Sequence, residues 1–173
     1  ESVKVERIEA GDHYSPAEKT VRLSARNYDG KSITAAAVAA HELSHALQHK
    51  DGYAPLVLRQ KLAGACVMIE RTGSVMMMAT PVVFALTRSP VVLVAEIVLA
   101  LGILALTVVI HVFTLPTEYD ASFRRALPIL EHYLKPEDMP AARSVLKAAA
   151  FTYVASALVS LLDIARWFRI LRF

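Results

Sequence analysis

The chain has 173 residues, of which 55% are hydrophobic and only 20% charged, and its mean hydropathy is +0.41. This composition is too apolar for an ordinary soluble domain and favours a single membrane-embedded domain over residues 1–173. The formal net charge of +3 comes without a continuous basic run, which argues against nucleic-acid binding and fits basic residues at membrane edges.

The single cysteine and the first residue of the chain carry further information. Cys66 is the single cysteine, so an internal disulfide is excluded and no cysteine zinc site is available. The sequence begins with Glu1 rather than methionine. We therefore expect an N-terminal segment to be missing from it.

The N-terminal part of the chain predicts a short β-hairpin. Apolar residues in Ser2–Glu9 suggest one strand, and Thr20–Ser24 alternates as a second. An edge strand next to the following helix could bind an extended peptide through main-chain hydrogen bonds, or the hairpin could simply cover that helix. Asp12 and His13 could form a second metal site, but a turn aspartate and a surface histidine are expected instead.

The next element is a helix that carries His41-Glu42-Leu43-Ser44-His45, the pattern HExxH. Histidines four residues apart on a helix differ by about 40° of turn and about 6 Å of rise, so both imidazoles reach one point. That point suits a zinc ion. Glu42 lies about 100° round the helix, where it could take a proton from a water that the zinc activates.

Local signals give the limits of this helix and the role of a further histidine. Ser32 or Thr34 could cap its start, and Gly52 would end it. His49 continues the i+4 series but comes too early for the HExxHxxGxxH pattern, so we expect it to be a partly solvated residue at the helix end.

Three apolar stretches after this helix predict membrane spans, at about residues 62–87, 91–115 and 146–165. Residues 88–90 separate the first predicted span from the second. Glu70, Glu96 and Asp163 are predicted to be interfacial or paired carboxylates rather than functional ones.

Two helices are predicted after the second span. The segment LPTEYDASFRRALPILEHYL predicts an amphipathic helix with Pro116 near its start. A last helix is predicted to begin at about Met139, with Asp138 as a possible cap.

A catalytic zinc usually takes three protein ligands and keeps one position for water. Candidates for the third ligand are His111, Glu118, Asp120 and His132. Two membrane crossings would return the chain to the side of the HExxH helix at Glu118, which favours that residue. Asp120 lies about 200° round the same helix, and His111 would draw the metal about 10 Å into the hydrocarbon.

Six segments, in order, resemble the YugP-type membrane zinc metallopeptidases of bacteria: DHYSP, KTVRLS, AAHELSHALQ, GYAPL, LPTEYDASFRRAL and AAAFTYVASAL. The resemblance implies zinc held by His41, His45 and Glu118, with Glu42 as catalytic base. That family usually has glycine at Ser44, DHYDP at DHYSP and a further N-terminal span. The EYDAS segment is also similar to the EYxAD helix of CAAX-prenyl-protease and HtpX-type enzymes, in which the aspartate at the place of Ser122 supports a zinc-bound histidine.

These observations predict a mainly α, multi-pass membrane protein with a zincin-like HExxH helix and a gluzincin-like ligand set. We expect a zinc endopeptidase that is embedded in the lipid bilayer and acts on peptide or protein substrates. Candidates for stabilising the oxyanion are Tyr119, His132 and Tyr153. The rival interpretation is a non-proteolytic membrane protein with a structural zinc site, but such sites are usually closed by four ligands, often cysteines.

Charge also predicts the orientation in the cell membrane. More basic residues flank the spans on the predicted catalytic side than on the other, which favours a cytoplasmic catalytic face. The first group is Arg59, Lys61, Arg124, Arg125, Lys135, Arg143 and Lys147, and the second is Arg88, Arg166, Arg169 and Arg172.

Overall fold

A computed structural model describes residues 3–9, 11–152, 154–155, 158–159 and 162. The chain is mainly α-helical with a small sheet, as the sequence predicts. It divides into two compact units; the first joins Glu1–Val57 to Thr114–Thr152, and the second contains Leu58–Phe113. Tyr153, Asp163, the three C-terminal arginines and part of the predicted span at 146–165 lie outside the described residues.

The first unit begins with a three-stranded sheet formed by β1 (Lys4–Ile8), β2 (His13–Ser15) and β3 (Thr20–Ser24). The strand order is β1-β3-β2, with β1 parallel and β2 antiparallel to β3. The two predicted strands are confirmed, but the predicted hairpin between them is wrong. The short strand β2 lies between β1 and β3 in the sequence and reverses the chain direction. The hairpin is therefore formed by β2 and β3, and β1 pairs with β3 in parallel.

Strand β3 is central, with both edges paired, so it offers no free edge to a peptide. Val21 and Leu23 are buried on its inner face and pack with Ala46 of the following long helix. This strand therefore covers the HExxH helix, which is the second of the two roles that the sequence allows. The free edges of the described sheet belong to β1 and β2.

The HExxH helix, α2 (Ile33–Lys50), follows the short α1 (Ala25–Tyr28). Of the two candidate caps, Ser32 is confirmed, because its Oγ accepts a hydrogen bond from the Ala35 amide at 3.1 Å. The helix ends at Lys50, and Gly52 follows with φ of +63°, a backbone conformation that favours glycine.

Asp12, in the turn before β2, joins the end of β3 to the start of α1. Its carboxylate accepts hydrogen bonds from the Ser24 amide at 2.7 Å and from Asn27 Nδ2 at 2.8 Å. His13 is exposed on β2. Both residues therefore play the structural parts that the sequence favours over a second metal site.

Two long helices, α3 (Ala54–Thr87) and α4 (Pro90–Tyr119), are separated by a break at Arg88, whose φ is +47°. Pro116 lies inside α4 and does not begin a new helix, so that prediction is wrong. A proline removes one intrahelical hydrogen bond without necessarily ending the helix. Glu118 consequently lies in the last turn of α4.

The helix α4 continues without a loop into a π-helical segment, Asp120–Ala126, and then into α5 (Leu127–Glu131). After a short 3₁₀ turn (Pro136–Asp138), α6 (Met139–Ala150) begins where predicted. Asp138 precedes α6, but its side chain makes no capping hydrogen bond.

An apolar core forms where α2 packs against the segments after α4. The core joins small residues of α2 to larger ones of α5 and α6. Its fully or largely buried members are Ala37, Ala40, Ala126, Leu127, Leu130, Ala142 and Leu146.

Among the described residues, one helical run, Pro90–Glu131, is long and apolar enough to cross a membrane, with a mean hydropathy of 2.8 in its most apolar window. Ala54–Gly73 and Met78–Thr87, bent by 44°, add a second if they form one broken span. The predicted spans at 62–87 and 91–115 lie within α3 and α4. One Glu96 carboxylate oxygen is buried without a hydrogen-bond partner in the described part of the chain, so the predicted pairing is not seen through that oxygen.

The cap of α2 gives a testable consequence. Ser32→Ala should lower the free energy of unfolding by about 1 kcal/mol, because one amide of the first turn loses its acceptor. Thr34→Ala is the matched control, and we expect a change below about 0.5 kcal/mol, since Thr34 is exposed. Chemical denaturation in detergent measures both variants. Equal losses in the two variants would contradict the assignment of Ser32 as the cap.

Candidate metal centre

Three buried side chains of the first unit meet at one point. His41 and His45 come from α2 and Glu118 from the last turn of α4, and their ligand atoms lie within 4.8 Å of one another. Glu118 Oε2 is 3.2 Å from His41 Nε2 and 3.6 Å from His45 Nε2. The three residues are only 6%, 6% and 3% exposed.

These distances fit a zinc site. Four ligands at zinc bond lengths of about 2.0–2.1 Å in a tetrahedron lie about 3.3 Å apart. The two measured separations between the carboxylate and the ring nitrogens lie on either side of that value. Two imidazoles and one carboxylate are also zinc's preferred donors, and a buried carboxylate needs a positive partner.

Both histidine rings are held from behind by hydrogen bonds at Nδ1. Ser122 Oγ lies 3.1 Å from His41 Nδ1, and Gln48 Oε1 lies 2.9 Å from His45 Nδ1. The Nε2 atoms are left for Glu118, so the rings present to one point the nitrogens that would bind a metal. Ser122 thus contacts the first histidine of the HExxH pattern.

Gln48 is a site residue that the sequence reasoning missed. It is fully buried, and its Nε2 donates hydrogen bonds to the Thr117 carbonyl at 2.8 Å and to Asp120 Oδ2 at 2.9 Å. Its position three residues after His45 was the available signal, because residues i and i+3 are neighbours on a helix. The contacts with Thr117 and Asp120 have no such local signal.

Arg125 completes the polar surroundings of the site. Its Nε donates to Asp120 Oδ2 at 2.8 Å and its Nη1 to Asp51 Oδ2 at 2.6 Å. The guanidinium also lies over the Tyr53 ring, 5.9 Å from the centroid. Asp120 is therefore occupied by Arg125 and Gln48 and is not a member of the three-residue group.

Glu42 is 9% exposed and follows His41 on α2. It is not one of the three clustered residues among those described. It shares a helix face with Ala39 and Ala46, three and four residues away, which pack towards β3. Glu42 is thus a largely buried residue of α2 outside the three-residue group.

The other candidate residues lie elsewhere. His132 is exposed, with Nδ1 2.8 Å from the Pro128 carbonyl, and His111 belongs to the second unit. His49 is half-buried at the end of α2, with Nδ1 2.8 Å from the Tyr14 hydroxyl, in agreement with its predicted position. Tyr119 is exposed, and its ring packs on Phe123.

A cavity of about 450 Å³ lies between β1, β3, α1 and the first half of α2. Ala35, Ala36 and Ala39 form its α2 wall. None of the three clustered residues lines it, so we assign it no part in the metal site.

Comparison with known proteins adds two findings. The family described as "Putative neutral zinc metallopeptidase" matches residues 1–172. "Putative membrane protease YugP" of Bacillus subtilis (strain 168) is 37% identical over 159 residues, covering 90% of this chain and 66% of the relative. The chain thus spans slightly less than two thirds of that curated relative's length. No solved structure matches the chain.

Proposed function

Because the chain belongs to the neutral zinc metallopeptidase family, we propose that it is a membrane-bound, zinc-dependent endopeptidase. Its substrates would be peptides or proteins, cleaved at internal peptide bonds. The observation that carries the proposal is the approach of His41, His45 and Glu118 in one buried group. Two nitrogens and one carboxylate oxygen form the ligand set of a gluzincin-like site.

In this proposal His41, His45 and Glu118 hold the zinc and leave its fourth position to water or substrate. When bound, zinc supplies Lewis-acid chemistry, which makes water more acidic and the scissile carbonyl more electrophilic. Ser122 and Gln48 keep the two rings in position from the Nδ1 side. The burial of all three ligands excludes bulk water and strengthens their electrostatic effect.

Glu42 is the proposed general base. Its carboxylate takes a proton from the attacking water and passes it to the nitrogen of the leaving amine. Its place on α2 directly after His41 supports this role, because the helix holds it beside the ligand group at a fixed angle. Its low exposure supports the role as well, since little water competes for the carboxylate.

The alternative, a non-proteolytic protein with a structural zinc site, is less well supported. Structural zinc sites are normally closed by four protein ligands. The described residues supply a group of three, and Glu42 directly follows one of them on α2.

The membrane part of the proposal rests on exposed apolar residues. Met68, Met78 and Leu86 on α3 are 72%, 81% and 79% exposed, and Val91 on α4 is 78% exposed. Such surfaces are costly in water and suit lipid. We propose a single membrane-embedded domain with spans at about 62–87, 91–115 and 146–165, and a cytoplasmic catalytic face by the positive-inside rule.

Metal content tests the ligand set. His41→Ala, His45→Ala and Glu118→Ala should each lose most of the zinc that the purified wild-type protein binds, because two ligands hold zinc poorly. His111→Ala and Asp120→Ala are the controls and should still bind one zinc when the metal is saturating. Retention of zinc in Glu118→Ala, with loss in either control, would move the third ligand.

The role of Glu42 is tested by Glu42→Gln. This variant should keep its zinc but lose at least about 100-fold of the wild-type rate of peptide cleavage in detergent, because it cannot accept the water's proton. Glu131→Gln, at an exposed glutamate on α5, is the matched control and should cleave normally. Undiminished cleavage by Glu42→Gln would refute the base assignment. Stoichiometric zinc without any cleavage by the wild type would favour the structural-zinc alternative.

Labelling of single cysteines tests the topology, in a Cys66→Ala background. Ser89→Cys lies in the break between α3 and α4, and Tyr133→Cys lies after α5 at a position 82% exposed. With a membrane-impermeant thiol reagent, we expect Ser89→Cys to react in intact cells and Tyr133→Cys only after lysis. The reverse pattern would place the catalytic face outside the cytoplasm, and reaction of both on one side would contradict the two crossings.

A further inference from the structure

Gln48 joins one proposed zinc ligand to the helix that carries another. It is 0% exposed, and its side-chain amide contacts His45 Nδ1, the Thr117 carbonyl and Asp120 Oδ2 at 2.9, 2.8 and 2.9 Å. The Thr117 carbonyl belongs to the residue directly before Glu118. All three contacts are made within the first unit.

The direction of the hydrogen bonds is set by Arg125. A guanidinium can only donate and stays protonated in proteins. Its Nε donates to Asp120 Oδ2 at 2.8 Å, and Nη1 donates to Asp51 at 2.6 Å. The Nε bond makes Asp120 Oδ2 an acceptor, and the favourable second neighbour of that oxygen is another donor.

That second neighbour is the NH₂ group of Gln48. An amide nitrogen can only donate, and here both of its partners, Asp120 Oδ2 and the Thr117 carbonyl, accept. The amide of Gln48 therefore cannot be reversed without placing its oxygen against two acceptors. Its Oε1 is left facing His45 Nδ1.

The same reasoning assigns the hydrogen on His45. Because Gln48 Oε1 can only accept, Nδ1 of His45 must carry the hydrogen. In the neutral ring this leaves the lone pair on Nε2, the atom 3.6 Å from Glu118 Oε2. The nitrogen that faces the proposed metal position is thereby the one able to bind a metal.

His41 differs in this respect. Its Nδ1 lies 3.1 Å from Ser122 Oγ, and a hydroxyl can either donate or accept. Ser122 therefore holds the position of the ring but does not select the nitrogen that carries the hydrogen. The two histidines of the HExxH pattern are prepared for metal binding to different degrees.

We propose that Gln48 is a positioning residue that presets His45 for zinc, by fixing its Nδ1–H tautomer through the hydrogen-bond chain from Arg125 and Asp120. The inference rests on the proposed function for the role of His45 as a ligand, but the tautomer belongs to the metal-free protein. Loss of such a partner of a metal-binding histidine typically weakens metal affinity by about 10–100-fold.

The first measurement is the tautomer. In the ¹⁵N-labelled, metal-free full chain in detergent, ring nitrogen shifts should show His45 in the Nδ1–H form in the wild type. Gln48→Leu should move His45 towards the Nε2–H form, because no acceptor faces Nδ1. Gln60→Leu, at a glutamine in the second unit, is the matched control and should not change His45.

The second measurement is zinc affinity, by competition with a chelating indicator. Gln48→Leu should bind zinc about 10–100-fold more weakly than the wild type, and Gln60→Leu should equal the wild type. The variant Gln48→Met keeps the length of the side chain but has no amide oxygen to accept from His45. It should show the same shift towards the Nε2–H form and the same loss of zinc affinity, which tests the mechanism even if Gln48→Leu folds poorly.

The outcomes distinguish the role of Gln48 from the proposed function. A wild-type His45 in the Nε2–H form, or an unchanged tautomer or unchanged zinc affinity in a folded Gln48→Leu, would overturn the role of Gln48. A folded Gln48→Met with the tautomer and the zinc affinity of the wild type would do so as well. Absence of any zinc binding by the wild type would instead refute the proposed function, and the tautomer measurement would still test the hydrogen-bond chain.

Discussion

The site depends on bringing one carboxylate to two ring nitrogens that a single helix turn already holds together. The spacing within α2 supplies the nitrogens locally, but Glu118 arrives only after α3 and nearly all of α4. Close approach of α2 to the segment after α4 is therefore the central requirement. Small residues make it possible, since Ala37 and Ala121 are fully buried and Ala40 is 6% exposed at these elements.

The same approach buries several polar groups, and the structure satisfies most of them with one another. Unpaired, each would cost a few kcal/mol. Ser122 bonds to His41 across 81 positions of sequence, and Gln48 bonds to Asp120 across 72. Such long-range bonds give the interface a specific register that an alanine-rich contact alone would not provide. Among the described side chains of the first unit, the exception is Thr117 Oγ1, which is buried without a partner directly beside Glu118.

Sequence reasoning succeeded where the signal was local. The spacing of His41 and His45, the cap at Ser32 and the end at Gly52 all follow from the geometry of one helix. Glu118 could be favoured by counting membrane crossings, although the reasoning wrongly started a helix at Pro116. The parallel pairing of β1 with β3, and the partners of Gln48, were not predictable because they depend on contacts between distant segments. The π winding of Asp120–Ala126 was not predictable either, because it has no local sequence signature.

That π-helical segment also explains how one continuous helix serves two different interfaces. A π segment takes in about one residue more than an α-helix would, which sets back all following residues by about 100°. In an uninterrupted α-helix, Ala126 and Leu130 would lie about 80° and 120° away from Glu118. With the setback they fall within about 20° of it, on the side that faces α2. The winding defect thus brings the ligand and the core residues into phase, and a one-residue deletion within it would force a choice between them.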